Sequence, residues 1–387
     1  MSQFTSFVPV YFGKERLDVL GELSIEKKIT NAFIVCDDAL SDVGRRAAAL
    51  LASVGIKSVL FTEIRPEPTD KSIFKGVEAA KKHPGINGIV GIGGGSSLDT
   101  AKCINVLLNN PGPLKQYASV DADLPTKPGF PLILIPTTAG TGAECTFSSI
   151  FTCVESGQKM SIRKPNCTLA SAAIIDSSLT LHMPQMLTIA SGVDALCHAM
   201  EAYTVKAPNP VSDALAKEAI TLAYRYLPRA VKNASRDEEA REYMSVSAAL
   251  AGMAFSNTFL HLAHAVGHSL GAVLHKSHGL MVGQALPEII EFISDVYPER
   301  VKTEGELMGL RFEGHETEEQ IGSMVKERIY ALYRTIGFPS LKDMGFTLEE
   351  ALKAVPLVER DGCFPFSPKP MNKEQIITCI TNIYNHQ

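Results

Sequence analysis

The chain has 387 residues, 45% of them hydrophobic, with 37 basic against 42 acidic side chains and a net charge of −5. That is room for two domains with filled cores, and it leaves no basic footprint of the kind nucleic-acid binding needs. No apolar run approaches the roughly 20 residues that span a bilayer, and the N-terminal stretch lacks the charged and apolar regions of a signal peptide, so a cytoplasmic protein without a membrane partner is expected.

The first half alternates short β-branched runs with amphipathic segments. AFIVCDD (32–38), SVLFTEI (58–64), GIVGIGGG (88–95) and PLILIPTT (131–138) read as buried parallel strands, with helices such as VGRRAAALLASVG and SIFKGVEAAKKH between them. SSIFTCV (148–154) and AAIIDSS (172–178) read as two further strands that close this half. From Pro184 onward strand-like runs disappear and the pattern becomes helical, with a capping-box spacing at Thr347 and Glu350. The fold class expected is therefore α/β plus all-α, with an α/β domain over 1–183 and a helical domain over 184–387. Eight cysteines show no CxxC and no tight cluster, which fits scattered reduced thiols. Cys363 is read as a buried inert thiol.

Two glycine-rich stretches follow strands. GIGGGSSLDTAK (91–102) opens a helix, where backbone N–H groups and the helix dipole can hold a phosphate. Its sixth place is Ser96, so it does not match GxGxxG, and a plain strand-to-helix turn is the competing reading. PTTAGTGAE (136–144) supplies the hydroxyls of Thr137, Thr138 and Thr141. Two such loops at strand ends point to one diphosphate ligand. Asp37, at the end of its strand, can accept hydrogen bonds from a ribose diol and repel a 2′-phosphate, which favours NAD over NADP. Its competing reading is a solvated turn aspartate.

In the helical half, Asp194 and His198 stand four apart, as do His264 and His268, so each pair aims two ligand-type side chains the same way. Asp194, His198, His264 and His278 make one carboxylate and three imidazoles, a set suited to Fe2+, with Zn2+ as the alternative. His268, one turn beyond His264, is assigned to proton relay rather than to the metal. His261 either lines the site or packs between helices.

With loops and ligands together, the chain resembles the iron-containing (group III) alcohol dehydrogenases almost end to end. The resemblance rests on GGGSSLDTAK, PTTAGTGAE, ASGVDALCHAMEAY (190–203), REYMSVSAALAGMAFSN (241–257) and HAVGHSLGAVLHKSHG (264–279). It implies a dehydroquinate synthase-like architecture, an N-terminal dinucleotide-binding domain and a C-terminal helical domain with the metal between them, and hydride transfer between NAD and a small alcohol or aldehyde. It places the metal ligands on the same four residues and His268 beside substrate and nicotinamide. Cofactor contacts are expected from Asp37, Gly93, Gly94, Gly95, Ser96, Ser97, Asp99, Thr137, Thr138, Thr141, Ser148 and Lys159, the last matching a lysine on the cofactor side. A homo-oligomer, dimer or higher, is expected. The chain departs from the family pattern at Ser97, Cys153 and Ser177, and at His261, which stands in place of a glycine. A polar or anionic substrate tail is one consequence His261 would have. The rival function is a non-redox metal and NAD enzyme of the dehydroquinate synthase type.

Overall fold

A computed structural model describes residues 4–5, 8–65, 67–118 and 127–386. The chain divides into two units: one that ends at Thr180 and leaves out Ala139–Thr141, and one made of Leu181 onward together with Ala139–Thr141 and Thr5.

The α/β unit is built on a six-stranded parallel sheet of β1 (Val10–Gly13), β2 (Asn31–Cys36), β3 (Lys57–Phe61), β4 (Gly88–Gly93), β5 (Leu132–Pro136) and β8 (Ala172–Asp176), in the order β1-β8-β5-β4-β2-β3. The central strands are apolar on both faces because helices cover both. Phe33 and Val35 of β2 turn towards α3 (Asp70–Lys81) and α4 (Gly95–Asn109), while Ala32, Ile34 and Cys36 turn towards α1 (Leu20–Glu26) and α2 (Ser41–Ser53). Three details differ from the sequence reading. β3 is an edge strand and half-exposed. β1 is an additional edge strand, parallel to β8. The run at 148–154 does not join the main sheet: β6 (Ser148–Thr152) pairs antiparallel with β7 (Lys159–Arg163) as a separate hairpin, which the short turn between them dictates. A single turn of helix, α5 (Pro165–Thr168), leads into β8.

β2 and β4 are neighbours, yet the chain leaves them towards opposite edges of the sheet. This is the switch-point arrangement that opens a crevice at strand C-terminal ends. The ends of β2, β4 and β5 carry Asp37, Gly93–Ser97 and Thr137–Thr138 respectively.

The second unit is helical: α6 (Gln185–Thr204), α7 (Pro210–Asn233), α8 (Glu238–Thr258), α9 (Leu262–Leu274), α10 (His278–Ile293), α11 (Pro298–Leu307), α12 (Glu318–Ile336), α13 (Leu348–Leu352), α14 (Val355–Val358) and α15 (Lys373–Asn385). α6 is buried along nearly its whole length, with α7, α8 and α10 packed on it. Capping boxes start α12, α13 and α15, the second of them at Thr347 and Glu350 as the sequence spacing predicts. α8 and α9 meet at a bend of 103°. The bend is made by Phe259, whose φ of 71° is left-handed and costs a non-glycine residue about 1–3 kcal/mol. Stacking of its ring on Phe366 at 4.3 Å offsets part of that cost. Among the described residues no single helix is long and apolar enough to cross a membrane.

Candidate metal centre and cofactor loops

The bend at Phe259 points α9 at α6, and this is what brings His264 to Asp194 and His198. α10 delivers His278 with its first residue. Gly279 makes that approach possible: a Cβ there would lie 2.2 Å from the Ala190 carbonyl oxygen of α6. One ligand atom from each of Asp194, His198, His264 and His278 lies within 4.8 Å of all the others. His278 Nε2 stands 3.3 Å and His198 Nε2 3.7 Å from Asp194 Oδ1. The His198 and His264 rings stack at 4.8 Å, and Phe255 closes the other face of His198 at 4.6 Å.

Two atoms of the cluster are buried without a hydrogen-bond partner, Asp194 Oδ1 and His264 Nε2. Orphaned polar atoms cost about 1–3 kcal/mol each unless something pairs them, and a dication fits this donor set. The ring hydrogen bonds agree. His198 Nδ1 lies 3.3 Å from the Gly140 carbonyl, which only accepts, so the proton sits on Nδ1 and the lone pair on Nε2. His264 Nδ1 likewise faces the Glu201 carboxylate, leaving Nε2 free to ligate. Burial and the neighbouring imidazoles push His264 well below the usual histidine range, so it is neutral. Burial alone would raise Asp194, but the pull of His198 and His278 holds its carboxyl below the usual carboxylate range.

His268 stands apart from the four. Its ring lies 5.1 Å from that of His278 and 5.6 Å from that of His264, and its Nδ1 is 2.9 Å from Asp361 Oδ2. Burial would raise Asp361, but the hydrogen bond and charge of His268 and the hydrogen bonds from Cys363 together lower it. Cys363 joins this group: its thiol lies near His268 and Asp361, and its backbone N–H donates to Asp361 Oδ1 at 2.8 Å. It is half-buried rather than buried as expected, because it sits in the short turn before Phe364–Phe366 instead of inside a helix. His261 points inward. It is fully buried, with Nε2 3.0 Å from Thr204 Oγ1 and Nδ1 3.3 Å from Glu201 Oε1, so it packs α9 against α6 and lends no support to a polar substrate tail.

In the α/β unit, Gly93 ends β4 with φ 143°, where a side chain would be strained and would collide with Ser97. Gly94 caps α4, and Gly95 and Ser96 open its first turn, where their own amides have no helical acceptor. Ser97 is buried against Gly93, and the Thr138 side chain lies beside Gly94. Thr137 N–H donates to the Gly93 carbonyl at 3.0 Å, tying the two loops together. Thr141 belongs to the helical unit with Ala139 and Gly140, apart from Thr137 and Thr138. Asp37 Oδ1 accepts from Ala39 N–H at 2.9 Å, a turn role that leaves the second carboxylate oxygen for a ligand. Lys159 Nζ donates to Glu67 Oε1 at 3.0 Å, and Glu67 N–H reaches Ser96 Oγ at 3.2 Å.

Lys102, not singled out from the sequence, is the most buried cation of this unit. From α4 its Nζ reaches the carbonyls of Ala143 (2.6 Å), Ser148 (2.7 Å) and Thr146 (2.9 Å) and the Thr146 hydroxyl (3.1 Å). It thus pins the far side of the second glycine-rich loop and the start of β6. Burial raises Asp99 to about 6 and Glu144 to about 7, and the Lys102 charge restrains both. Asp99 itself is half-buried beside this cation, its backbone carbonyl accepting from Ser149 Oγ at 2.9 Å. Glu201 and Asp361 were missed as well. Glu201 was discoverable, since it extends the Asp194 and His198 face of α6 by one further turn.

The profile of the iron-containing alcohol dehydrogenases matches residues 8–177, and that of the C-terminal part of the Fe-containing alcohol dehydrogenase family matches 188–384. The chain is 34% identical over 357 residues, 91% of each chain, to the NAD-dependent methanol dehydrogenase of Bacillus methanolicus. Its structure resembles that of a 1,3-propanediol oxidoreductase with a TM-score of 0.93 and 32% identity, covering 99% of this chain and 100% of the other. It also resembles that of sulfoacetaldehyde reductase from Bifidobacterium kashiwanohense in complex with NAD+, with a TM-score of 0.89 and 26% identity over the full length of both. Two profiles together span nearly the whole sequence, so the chain belongs to the iron-containing alcohol dehydrogenase family and is an oxidoreductase of alcohols and aldehydes.

Proposed function

We propose that this enzyme interconverts a short primary alcohol and its aldehyde with NAD, using a divalent metal held by Asp194, His198, His264 and His278. The metal read here is Fe2+, with Zn2+ as the alternative. The observation that carries the reading is the convergence of these donors with Asp194 Oδ1 and His264 Nε2 buried and unpartnered. When bound, the dication supplies a Lewis acid at the substrate oxygen, and NAD accepts or gives the hydride. The rest falls to the chain's own residues. The first-turn amides of α4 hold the diphosphate, Thr137, Thr138, Thr141 and Ser148 flank it, Lys159 lies on the cofactor side, and Asp37 takes the ribose diol. The small substrates in the relatives' names, methanol, propanediol and sulfoacetaldehyde, support a short chain with or without a polar tail. A lyase of the dehydroquinate synthase type is not favoured, because the family match is to alcohol dehydrogenases. We also infer a homo-oligomer, dimer or higher, in the cytoplasm.

The test is a panel of short alcohols, diols and aldehydes, some carrying a carboxylate or sulfonate, followed by NADH absorbance on metal-reconstituted protein. At least one short primary alcohol should give net NADH, and none doing so would refute the reading. Asp37 enters the same assay. A carboxylate facing a 2′-phosphate at about 4 Å costs roughly 1–4 kcal/mol between the dielectrics of water and protein surface. Asp37→Gly should therefore shift the NAD to NADP ratio of kcat/KM by about tenfold or more. An unchanged ratio would mean that Asp37 faces away from the ribose.

His268 is read as the proton relay. Asp361 fixes its Nδ1 proton and leaves Nε2 as the exchanging atom. His268→Ala should retain a full complement of metal while kcat falls on the order of 10²–10⁴-fold. Loss of metal from this variant would make His268 a ligand instead.

A further inference from the structure

Glu201 is fully buried on α6, one turn past His198, and among the described residues its carboxylate's hydrogen bonds and ion pairs go to the start of α9. Oε1 accepts from the backbone N–H of Ala263 at 2.6 Å and of His264 at 3.4 Å, and lies 3.3 Å from His261 Nδ1. Oε2 accepts from His264 Nδ1. Among the described residues no lysine or arginine forms an ion pair with it; its ion-pair partners are imidazoles. A buried carboxylate without a lysine or arginine partner is expensive, and a cation bound on the far side of His264 would offset part of that cost.

We infer that Glu201 is the positioning residue of the metal centre: it holds the His264 imidazole by Nδ1–H, so that Nε2 presents its lone pair to the dication, and it docks the first turn of α9 in the same grip. The inference rests on the metal-centre reading. The two functions are coupled because one carboxylate receives both the helix N–H groups and the ring N–H. Any rotation of His264 away from the cluster would break a bond to the group that anchors its own backbone.

The amide analogue cannot reproduce this arrangement. In Glu201→Gln, an amide oxygen turned to Ala263 N–H leaves NH2 facing His264 Nδ1. The ring then has to accept there and carry its proton on Nε2, the atom that should ligate. Flipping the amide restores the ring contact and sets NH2 against the helix N–H groups. Glu201→Asp, by contrast, keeps an acceptor for both at the cost of one methylene of reach. A group that merely fills space would tolerate the isosteric Gln better than the shorter Asp. A positioning carboxylate gives the opposite order.

The experiment strips the metal from wild type, Glu201→Gln and Glu201→Asp, then titrates each with Zn2+ against a chromophoric chelator, with thermal melts of the metal-free forms as control. Gln is expected to weaken Zn2+ binding by about 10–100-fold, and Asp by less. Gln binding Zn2+ as tightly as wild type, or Asp losing more affinity than Gln, would overturn the inference and leave the metal centre standing. Wild type taking up no Zn2+ would overturn the metal centre and this inference with it.

Discussion

Replacing His264 by alanine is expected to remove metal and turnover together. The variant loses a deeply buried imidazole whose Nε2 has no hydrogen-bond partner, and Asp194 Oδ1 is left with His198 and His278 beside it. A Lewis acid at the substrate oxygen is worth several kcal/mol, so kcat should fall on the order of 10³-fold or more. The fold should survive, because Glu201 keeps the backbone N–H groups of residues 263 and 264 that dock α9. His278→Ala should behave in the same way with less structural cost, since that side chain is 31% exposed and starts its helix rather than lying inside one. Metal analysis beside the NADH assay decides both. Full metal and full activity in His278→Ala would remove that residue from the ligand set.

The second large effect is expected from Lys102→Met. Methionine fits the volume but donates nothing, so the carbonyls of Ala143, Thr146 and Ser148 lose their shared donor inside the protein. Each buried acceptor left unpaired costs about 1–3 kcal/mol, and the sum should reach about 3–5 kcal/mol. The loss also depends on pH. Asp99 and Glu144 titrate in the folded state at about 6 and about 7, above their unfolded values. Their contribution to stability is therefore fully present below about pH 4 and is lost as pH rises through 6 to 7. Without the Lys102 charge both values move higher, so the deficit of the variant should widen between pH 5.5 and 8. Urea denaturation at those two pH values measures it, and NAD affinity should weaken as the second loop loosens. Equal deficits at both pH values would show that Lys102 does not restrain the two carboxyls.

What could be read from the sequence depended on how far each feature reaches along the chain. The pairs Asp194 with His198 and His264 with His268 announce themselves at helical spacing, and the parallel strands are apolar throughout because helices cover both faces. β1 was not legible. Four residues at a sheet edge, one of them the exposed Phe12, carry no alternation to detect. β6 was recognised as a strand but misplaced, because its partner β7 mixes charged and apolar residues in a run of five. Lys102 was invisible for a different reason. Its acceptors lie 41 to 46 residues away, so its burial is a tertiary fact, and locally it is only a lysine closing a phosphate-type loop. Glu201 shares its helix face with two singled-out residues, but only the break at Phe259 tells which helix end it meets.

Ala139–Thr141 gives the chain a particular genealogy. Three residues of the loop that leaves β5 are lodged in the helical unit, where the Gly140 carbonyl sets the orientation of His198. The gene therefore cannot be divided at one point into two self-sufficient modules. A fragment beginning at Leu181 would keep all four donors yet lack the carbonyl that aims one of them. A graft that exchanged the α/β half for another would have to bring a loop with a glycine at the place of Gly140, where a Cβ would lie 2.8 Å from the Ser191 carbonyl oxygen.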